Sequence, residues 1–187
     1  MKTGITGGIG SGKSYVCQRL KLRGIDVYDC DTAAKRLIRT SPAIRESLTA
    51  LIGPDTYLSD GSLNKAAVAQ FLLASEANAQ AIDRIVHPAV FDDFIASGME
   101  WMESAILFES GINKLVDRVV VVTAPDEVRI QRVMQRDGIS REKVLEWMQR
   151  QWPQERVRQQ SDFEIMNDGQ SDIDSQIARL LNDGTTE

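Results

Sequence analysis

The sequence predicts an α/β fold of three layers, in which helices cover both faces of a parallel sheet of five strands. Two observations support this prediction. Short apolar segments alternate along the chain with longer segments of helical periodicity, a pattern typical of parallel strands joined by helices. A glycine-rich segment also stands between the first apolar segment and the first helical one, which indicates a backbone that turns sharply where a strand ends.

The predicted strands are short and rich in aliphatic residues, and the longest aliphatic run, Val119 to Val122, suits a buried strand. Because the carboxyl ends of parallel strands carry the loops that bind ligands, we expect the functional residues there. The five strands are expected at Lys2–Thr6, Ile25–Cys30, Ser104–Phe108, Arg118–Thr123 and Phe163–Met166.

Residues that commonly begin or end helices bound the segments between these strands. Gly24 would end a helix that starts at about Lys13, and Asp31 would cap a helix that starts at Thr32. Pro125 and Ser140 would begin two further helices, and a last helix is expected over 173–181, followed by a disordered tail from 182 to 187.

The length of 187 residues predicts one domain. Its middle part carries helical patterns, broken near Gly53-Pro54 and Asp60-Gly61, and no good strand. We therefore expect a core formed by about 1–54, 101–128 and 161–187, a helical substrate-binding insertion over about 55–100, and a helical lid over about 129–160.

Composition excludes several classes of protein. A net charge of −5 argues against nonspecific nucleic-acid binding, and the sequence has no apolar segment long enough to cross a bilayer. Two cysteines, one histidine and no export signal favour a cytoplasmic protein without a histidine-based zinc site. The oligomeric state is left open, and a monomer is compatible with the sequence.

The segment GGIGSGKS at residues 7–14 matches the phosphate-binding pattern G-x-x-x-x-G-K-[ST]. In such a loop, backbone N–H groups and a helix N-terminus face the phosphates, the lysine adds a positive charge, and the hydroxyl of the last residue binds Mg²⁺. The sequence therefore predicts a P-loop NTPase fold that binds a nucleoside triphosphate, with Mg²⁺ as cofactor. Contacts to the nucleotide are expected from Gly8, Ile9, Gly10, Ser11, Gly12, Lys13, Ser14 and Tyr15, with Ser14 as the metal ligand.

Three classes of protein share this loop. A GTPase switch would need D-x-x-G, which the chain lacks, and Asn113–Asp117 is one residue too long for N-K-x-D. A motor ATPase would carry an apolar strand that ends in an acidic pair. The segment Ile106–Glu109 ends in one acid, which leaves this class open. A small-molecule kinase needs an acid near the acceptor hydroxyl and a cationic lid, and the chain has candidates for both.

Asp31 is the candidate acid, since Asp29 and Asp31 would face the same way in an extended strand. Capping the next helix is an alternative role that is compatible with the first. The window from Arg129 to Arg158 holds eight bases and four acids, a local charge of +4. Within it, Arg132 and Arg136 share a helix face, and such arginines could close over the phosphates and exclude water.

Several motifs in order resemble the dephospho-CoA kinase family. They cover nearly the whole chain, up to about Leu181, and the set is far more specific than the loop alone. The motifs are TGGIGSGKS at 6–14, DCD at 29–31, HP at 87–88, ILFE at 106–109, QRD at 135–137 and NDG at 167–169.

This resemblance implies the nucleotide-kinase type of P-loop fold, with ATP as co-substrate. It also implies transfer of the ATP γ-phosphoryl group to the ribose 3′-hydroxyl of dephospho-CoA, the last step of coenzyme A biosynthesis. Asp31 would face that hydroxyl, and Arg136 would be the lid arginine on the phosphates, assisted by Arg132. The catalytic set implied is Lys13, Asp31 and Arg136. Asn167 and Gly169 would lie near the adenine of ATP, and Lys65, His87 and Glu109 would join Asp31 in binding dephospho-CoA.

The chain departs from the family pattern at a few positions, none of which removes a group that the chemistry needs. Tyr15 stands for threonine, Cys30 for alanine, Ala105 for proline, and Arg156 for lysine. Lys65 stands where arginine is common, and lysine cannot reproduce a bidentate contact. Two alternatives remain open: a P-loop kinase of another small alcohol or nucleoside, and a regulatory ATP-binding protein.

Overall fold

The computed structural model describes residues 1–183, apart from the side chain of Glu76. By their contacts these residues form two compact units. The sheet unit comprises residues 1–28 and those from 99 onwards, and the helical unit is Asp29–Gly98. Residues 29–54, which the sequence analysis places with the core, thus lie in the helical unit. The functional division into core, insertion and lid stays a prediction.

Five strands form one parallel sheet in the order β2-β3-β1-β4-β5, so the predicted fold class is confirmed. The first strand of the chain lies at the centre of the sheet, which puts the glycine loop at the middle of its carboxyl edge. The strands are β1 (Thr3–Thr6), β2 (Val27–Asp29), β3 (Trp101–Glu103), β4 (Arg118–Thr123) and β5 (Phe163–Met166).

Helices occur in the segments of the described residues where the sequence predicts them, and Gln154–Gln159 forms a short helix that the sequence analysis did not predict as a separate element. Their bounds are α1 (Lys13–Lys21), α2 (Cys30–Thr40), α3 (Pro42–Ile52), α4 (Lys65–Ala74), α5 (Glu76–Ser97), α6 (Asp126–Asp137), α7 (Arg141–Gln149), α8 (Gln154–Gln159) and α9 (Ile173–Asn182). Asn182 still belongs to α9, and residues 184–187 of the predicted tail lie outside the described residues. No helix within 1–183 is both long enough and apolar enough to cross a membrane.

The predicted strand at Ser104–Phe108 is wrong. The third strand ends at Glu103, and residues 105–110 form turns. Leu107 lies in this turn and is fully buried. It packs closely on the central strand, because a Cβ on Gly4 of β1 would lie 2.7 Å from Leu107 Cδ1. The apolar character of the segment therefore reflects packing of a turn beside the central strand, not a strand of its own.

The start of α2 also differs from the prediction. The helix begins at Cys30, and its cap is Asp29, whose carboxylate accepts hydrogen bonds from Thr32 N–H at 2.9 Å and Thr32 Oγ1 at 2.7 Å. Asp31 therefore lies in the first helical turn and is not the cap. Because the chain is already helical at Cys30, Asp29 and Asp31 do not share one face of an extended strand.

Two apolar clusters hold the sheet unit together. The larger cluster joins α1 and α9 to the sheet and consists of Ile5, Val16, Leu20, Val120, Val122, Ile165, Ile173, Ile177 and Leu180. The smaller cluster joins Ile130 and Val133 of α6 to Val144 of α7, and Ile9 of the glycine loop packs against it. The loop is thus attached through Ile9 to the helices of the predicted lid.

The helical unit has its own core of aliphatic and aromatic residues, including Ile44, Leu48 and Phe94, which are at most 3% exposed. An ion pair of 2.5 Å between Arg36 and Asp93 joins α2 to the 22-residue helix α5. The unit is therefore stabilised by contacts of its own.

Candidate active site

The glycine loop between β1 and α1 has a backbone that only glycine accommodates. Gly10 and Gly12 have φ angles of 78° and 93°, which lie in the left-handed region. A Cβ on Gly10 would lie 2.5 Å from the carbonyl oxygen of Arg129, and a Cβ on Gly12 would lie 2.0 Å from Asn167 Nδ2. The loop therefore packs against the start of α6 and the residue after β5 with no room for side chains.

The N-terminus of α1 is suited to bind an anion. Gly12 caps this helix without a side-chain hydrogen bond, and the first turn contains no acidic residue. The first N–H groups of a helix lack intrahelical acceptors, and the helix dipole favours negative charge at that end. Ser14 and Tyr15 are exposed in this first turn. The geometry thus fits the phosphate site that the sequence predicts.

Lys13 lies between the loop and the neighbouring strand. Its Nζ donates a hydrogen bond to the carbonyl oxygen of Gly7 at 2.8 Å and lies 3.8 Å from Glu103 Oε1. Only 11% of the Lys13 side chain and 17% of the Glu103 side chain are exposed. Glu103 is thus the acid at the carboxyl end of the strand beside β1, a position that sequence reasoning assigned to Glu109. Its strand, Trp101–Glu103, has only three residues and is less apolar than the segment Ser104–Phe108 that the sequence analysis selected, so the sequence carried little signal for it.

Glu109 lies in the turn after β3, so its placement at a strand end is wrong. Its Oε1 accepts a hydrogen bond from the backbone N–H of Trp152 at 3.1 Å. The rings of Phe108 and Trp152 are stacked beside this contact, with centroids 5.9 Å apart. Glu109 therefore joins the turn to the segment between α7 and α8, and its predicted contact with substrate stays a prediction.

Arg129 is a supporting residue of the loop that sequence reasoning did not assign to the site. Its side chain is buried, and Nε donates to the carbonyl oxygen of Ile9 at 3.0 Å while a terminal nitrogen lies 3.1 Å from Asp126 Oδ1. Burial lowers the pKa of Arg129, and Asp126 partly offsets this effect. A Cβ on Gly8 would lie 2.2 Å from the guanidinium, so Gly8 makes room for it. The local charge of +4 in residues 129–158 indicated that basic side chains lie near the bound phosphates. Only the fold shows which of these eight bases contact the loop.

Arg132 and Asn167 contact each other beside the loop, and their predicted roles in binding ATP stay predictions. Asn167 Nδ2 donates to the carbonyl oxygen of Ser11 at 2.9 Å, and its Oδ1 accepts from Arg132 at 3.3 Å. The same guanidinium lies 3.4 Å from the carbonyl oxygens of Gly10 and Ser11. These contacts fix a cation and an amide beside the loop backbone.

Arg136 and Gly169 are not brought to the loop by any contact of the described residues. The Arg136 guanidinium makes two hydrogen bonds of 2.8 Å to Asp137, which raise the pKa of Arg136 and lower that of Asp137. Arg136 is exposed at the end of α6, and Gly169 lies beyond β5 with a φ of 87°. Their predicted roles therefore stay predictions.

Three predicted substrate residues belong to the helical unit. Asp31 is exposed in the first turn of α2, and Lys65 is the exposed first residue of α4. His87 lies inside α5, where its Nε2 is 3.6 Å from Asp83 Oδ1 and its ring stacks on that of Phe91. The structure thus gives each of them a defined place on a helix of this unit.

The donor set suits Mg²⁺ that arrives with a nucleotide. Within residues 1–183, no group of three or more His, Cys, Asp or Glu side chains is placed to hold a metal ion. The first turn of α1 nevertheless presents the exposed hydroxyl of Ser14 next to Lys13. Mg²⁺ usually takes one or two protein ligands and completes its shell with water and substrate phosphates, so these residues fit such an ion.

Comparisons with known proteins identify the family of this chain and support its fold. The sequence model of the dephospho-CoA kinase family matches residues 1–172. A dephospho-CoA kinase from Bacteroides fragilis is 38% identical over 192 residues, which cover 97% of this chain and 91% of that protein. A crystal structure from Thermus thermophilus matches with a TM-score of 0.86 at 30% identity, and the match covers 100% of this chain and 98% of that chain. A dephospho-CoA kinase structure from Campylobacter jejuni has a TM-score of 0.70 at 18% identity, covers 99% and 98% respectively, and supports the fold.

Proposed function

Because the chain belongs to the dephospho-CoA kinase family, we propose that it transfers the γ-phosphoryl group of ATP to the ribose 3′-hydroxyl of dephospho-CoA. The products are CoA and ADP, and the reaction completes coenzyme A biosynthesis. The observation that carries this proposal is the glycine loop, whose anion-binding helix end lies beside a largely buried Lys13. Two cysteines in the whole chain favour a cytoplasmic location.

The loop would bind the triphosphate of ATP through residues Gly8 to Tyr15. Backbone N–H groups at the start of α1 would donate to the phosphate oxygens, and Lys13 would add a positive charge that stabilises charge on the transferring group. Ser14 would hold Mg²⁺, which supplies charge neutralisation when it is bound. Glu103 keeps the Lys13 ammonium close to the loop, because their charged atoms are 3.8 Å apart.

Arg132 and Arg136 would neutralise charge on the phosphates from the lid side. Arg132 is already placed within 3.4 Å of two carbonyl oxygens of the loop. Arg136 would exchange its pairing with Asp137 for the phosphates when the lid closes. Asn167 and Gly169 would lie near the adenine, with Asn167 fixed to the loop by its bond to Ser11.

The helical unit would bind dephospho-CoA. Asp31, exposed at the start of α2, would orient the 3′-hydroxyl and accept its proton, a role that needs little deprotonation before a dissociative transfer. Lys65 and His87 would contact the remainder of dephospho-CoA, and Glu109 is a further residue that we propose for binding this substrate.

The test is ADP release from ATP and Mg²⁺ by the purified protein. We expect release to be stimulated by dephospho-CoA alone, with a 3′-phosphorylated product identified by mass spectrometry. The Lys13→Ala protein, shown to be folded by circular dichroism, is the control for contaminating kinases. Stimulation by nucleosides instead would select a kinase of another alcohol, and no stimulation by any acceptor would select a regulatory ATP-binding protein.

A further inference from the structure

Ile9, at the tip of the glycine loop, is held on both sides of its backbone. Its N–H donates to the side-chain Oε1 of Gln151 at 2.8 Å, and its carbonyl oxygen accepts from Arg129 Nε at 3.0 Å. Its side chain packs against the apolar cluster of α6 and α7. The loop tip is therefore fixed by residues that follow it by more than a hundred positions in the chain.

The chemistry at this contact favours a neutral acceptor. The N–H of Ile9 belongs to the glycine loop and is bonded to Gln151, so this contact positions the loop and does not itself donate to a phosphate. A glutamine oxygen satisfies this N–H without adding charge, whereas a carboxylate there would repel a bound polyphosphate. Gln151 can thus fix the loop while the electrostatic potential at the loop stays favourable to anions.

The segment that carries Gln151 is anchored on its other side as well. The next residue, Trp152, donates its backbone N–H to Glu109 at 3.1 Å, and its ring contacts both Phe108 and Arg156. The guanidinium carbon of Arg156 is 3.4 Å from the centroid of that ring. The pair Gln151-Trp152 therefore joins the predicted lid to the glycine loop and to the turn after β3.

We propose that Gln151 is a positioning residue for the phosphates of ATP, because it fixes the tip of the glycine loop from the lid segment. It acts through the backbone of Ile9 and does not touch the reacting atoms. This inference rests on the proposed function in one respect, the binding of ATP at this loop. It adds a specific residue, from a part of the chain that carries no phosphate-binding motif.

The experiment compares Gln151→Ala and Gln151→Glu with Gln159→Ala as the matched control. Gln159 is an exposed glutamine of α8 whose side chain bonds only Glu155 of the same helix among the described contacts. Gln151→Ala removes one neutral hydrogen bond and should raise the KM for ATP about fivefold. We expect kcat and the KM for dephospho-CoA to change by less than about twofold, since neither depends on this contact. Gln159→Ala should match the wild type.

Gln151→Glu tests whether this contact lies close enough to the bound phosphates to act on them. The glutamate keeps the shape and the acceptor oxygen, so a contact remote from the phosphates predicts wild-type melting temperature and wild-type kinetics. The proposal predicts a wild-type melting temperature but a KM for ATP raised more than in Gln151→Ala, with the difference shrinking as salt is added. A wild-type KM for ATP in Gln151→Glu, or equal increases for both substrates in Gln151→Ala, would overturn the proposal.

A direct binding measurement keeps this inference separate from the proposed function. Inorganic tripolyphosphate carries the phosphate chain without nucleoside or acceptor, and calorimetry should show about fivefold weaker binding to Gln151→Ala than to the wild type. If the wild type binds tripolyphosphate and ATP but does not phosphorylate dephospho-CoA, the proposed function fails while this test still decides the role of Gln151. Equal tripolyphosphate affinity in both proteins overturns the inference, whatever the acceptor.

Discussion

Gly12→Ala should destabilise the fold through two separable effects. An alanine at a φ of 93° lowers the free energy of unfolding by about 1–2 kcal/mol, because its Cβ crowds the following carbonyl oxygen. The new Cβ would also lie 2.0 Å from Asn167 Nδ2, so the Asn167 side chain must move. That movement breaks its bonds to Ser11 and Arg132 and leaves an amide that is 8% exposed without partners, a loss of about 1–3 kcal/mol. We expect Gly12→Ala to lower the free energy of unfolding by about 2–5 kcal/mol in total.

The assay is urea unfolding followed by circular dichroism, with Gly24→Ala as the matched control. Gly24 follows α1 with a φ of 79°, and a Cβ there would meet no atom within 4 Å. The control should therefore lose only the backbone contribution, about 1–2 kcal/mol. Equal losses of unfolding free energy in the two variants would refute the contact that we infer between Gly12 and Asn167.

A double-mutant cycle tests the same contact independently. Asn167→Ala removes the amide that the Cβ of Gly12→Ala would meet. The loss of unfolding free energy caused by Asn167→Ala should therefore be at least about 1 kcal/mol smaller in the Gly12→Ala background than in the wild type. Additive losses would mean that the two sites do not interact, in conflict with the geometry.

Three further predictions concern charged groups. Lys13→Ala should lower kcat by about a hundredfold or more in a protein that still folds, because it removes a charge that stabilises the transferring phosphoryl group, and unchanged steady-state kinetics would contradict its role. Asp31→Asn should lower kcat by about a hundredfold while the KM for ATP changes little, whereas a collapse of ATP affinity with turnover preserved would make Asp31 a metal ligand. Hydrogen bonds from Arg19 and Arg23 hold the pKa of Asp174 below its usual range, so its carboxylate stabilises the fold above about pH 4 and this contribution is lost as the pH falls through the lowered pKa. Asp174→Asn should therefore be less stable than the wild type in urea unfolding at pH 7, and a difference that does not shrink below about pH 4 would exclude this explanation.

Elements with strong local signals were predicted closely. The bounds of β4 and β5 agree with the expected segments, and Ser140 caps α7 through its hydroxyl as expected. Asp29 rather than Asp31 caps α2, although both residues carry the same signal two positions apart. The residue that caps a helix is the one immediately before the first helical residue. Two aspartates two positions apart are equally suited to this role, so the sequence alone does not distinguish them.

The error at β3 had a different physical origin. The segment Ile106–Glu109 follows Ser104 with a more apolar composition than Trp101–Glu103, yet it forms a turn in which Leu107 is fully buried. Burial of apolar side chains stabilises a turn as well as a strand, so composition does not decide between them. Pairing of Trp101–Glu103 with β1 decides it, and that pairing brings Glu103 to Lys13.

The sequence by itself determined the phosphate-binding loop, because its glycines, lysine and hydroxyl act through a backbone turn of eight consecutive residues. Only the tertiary structure decided what supports that loop. Arg129 and Gln151 reach Ile9 across 120 and 142 residues of chain, and no local periodicity encodes such a contact. It exists because packing of α6 and α7 against Ile9 brings these side chains to the loop.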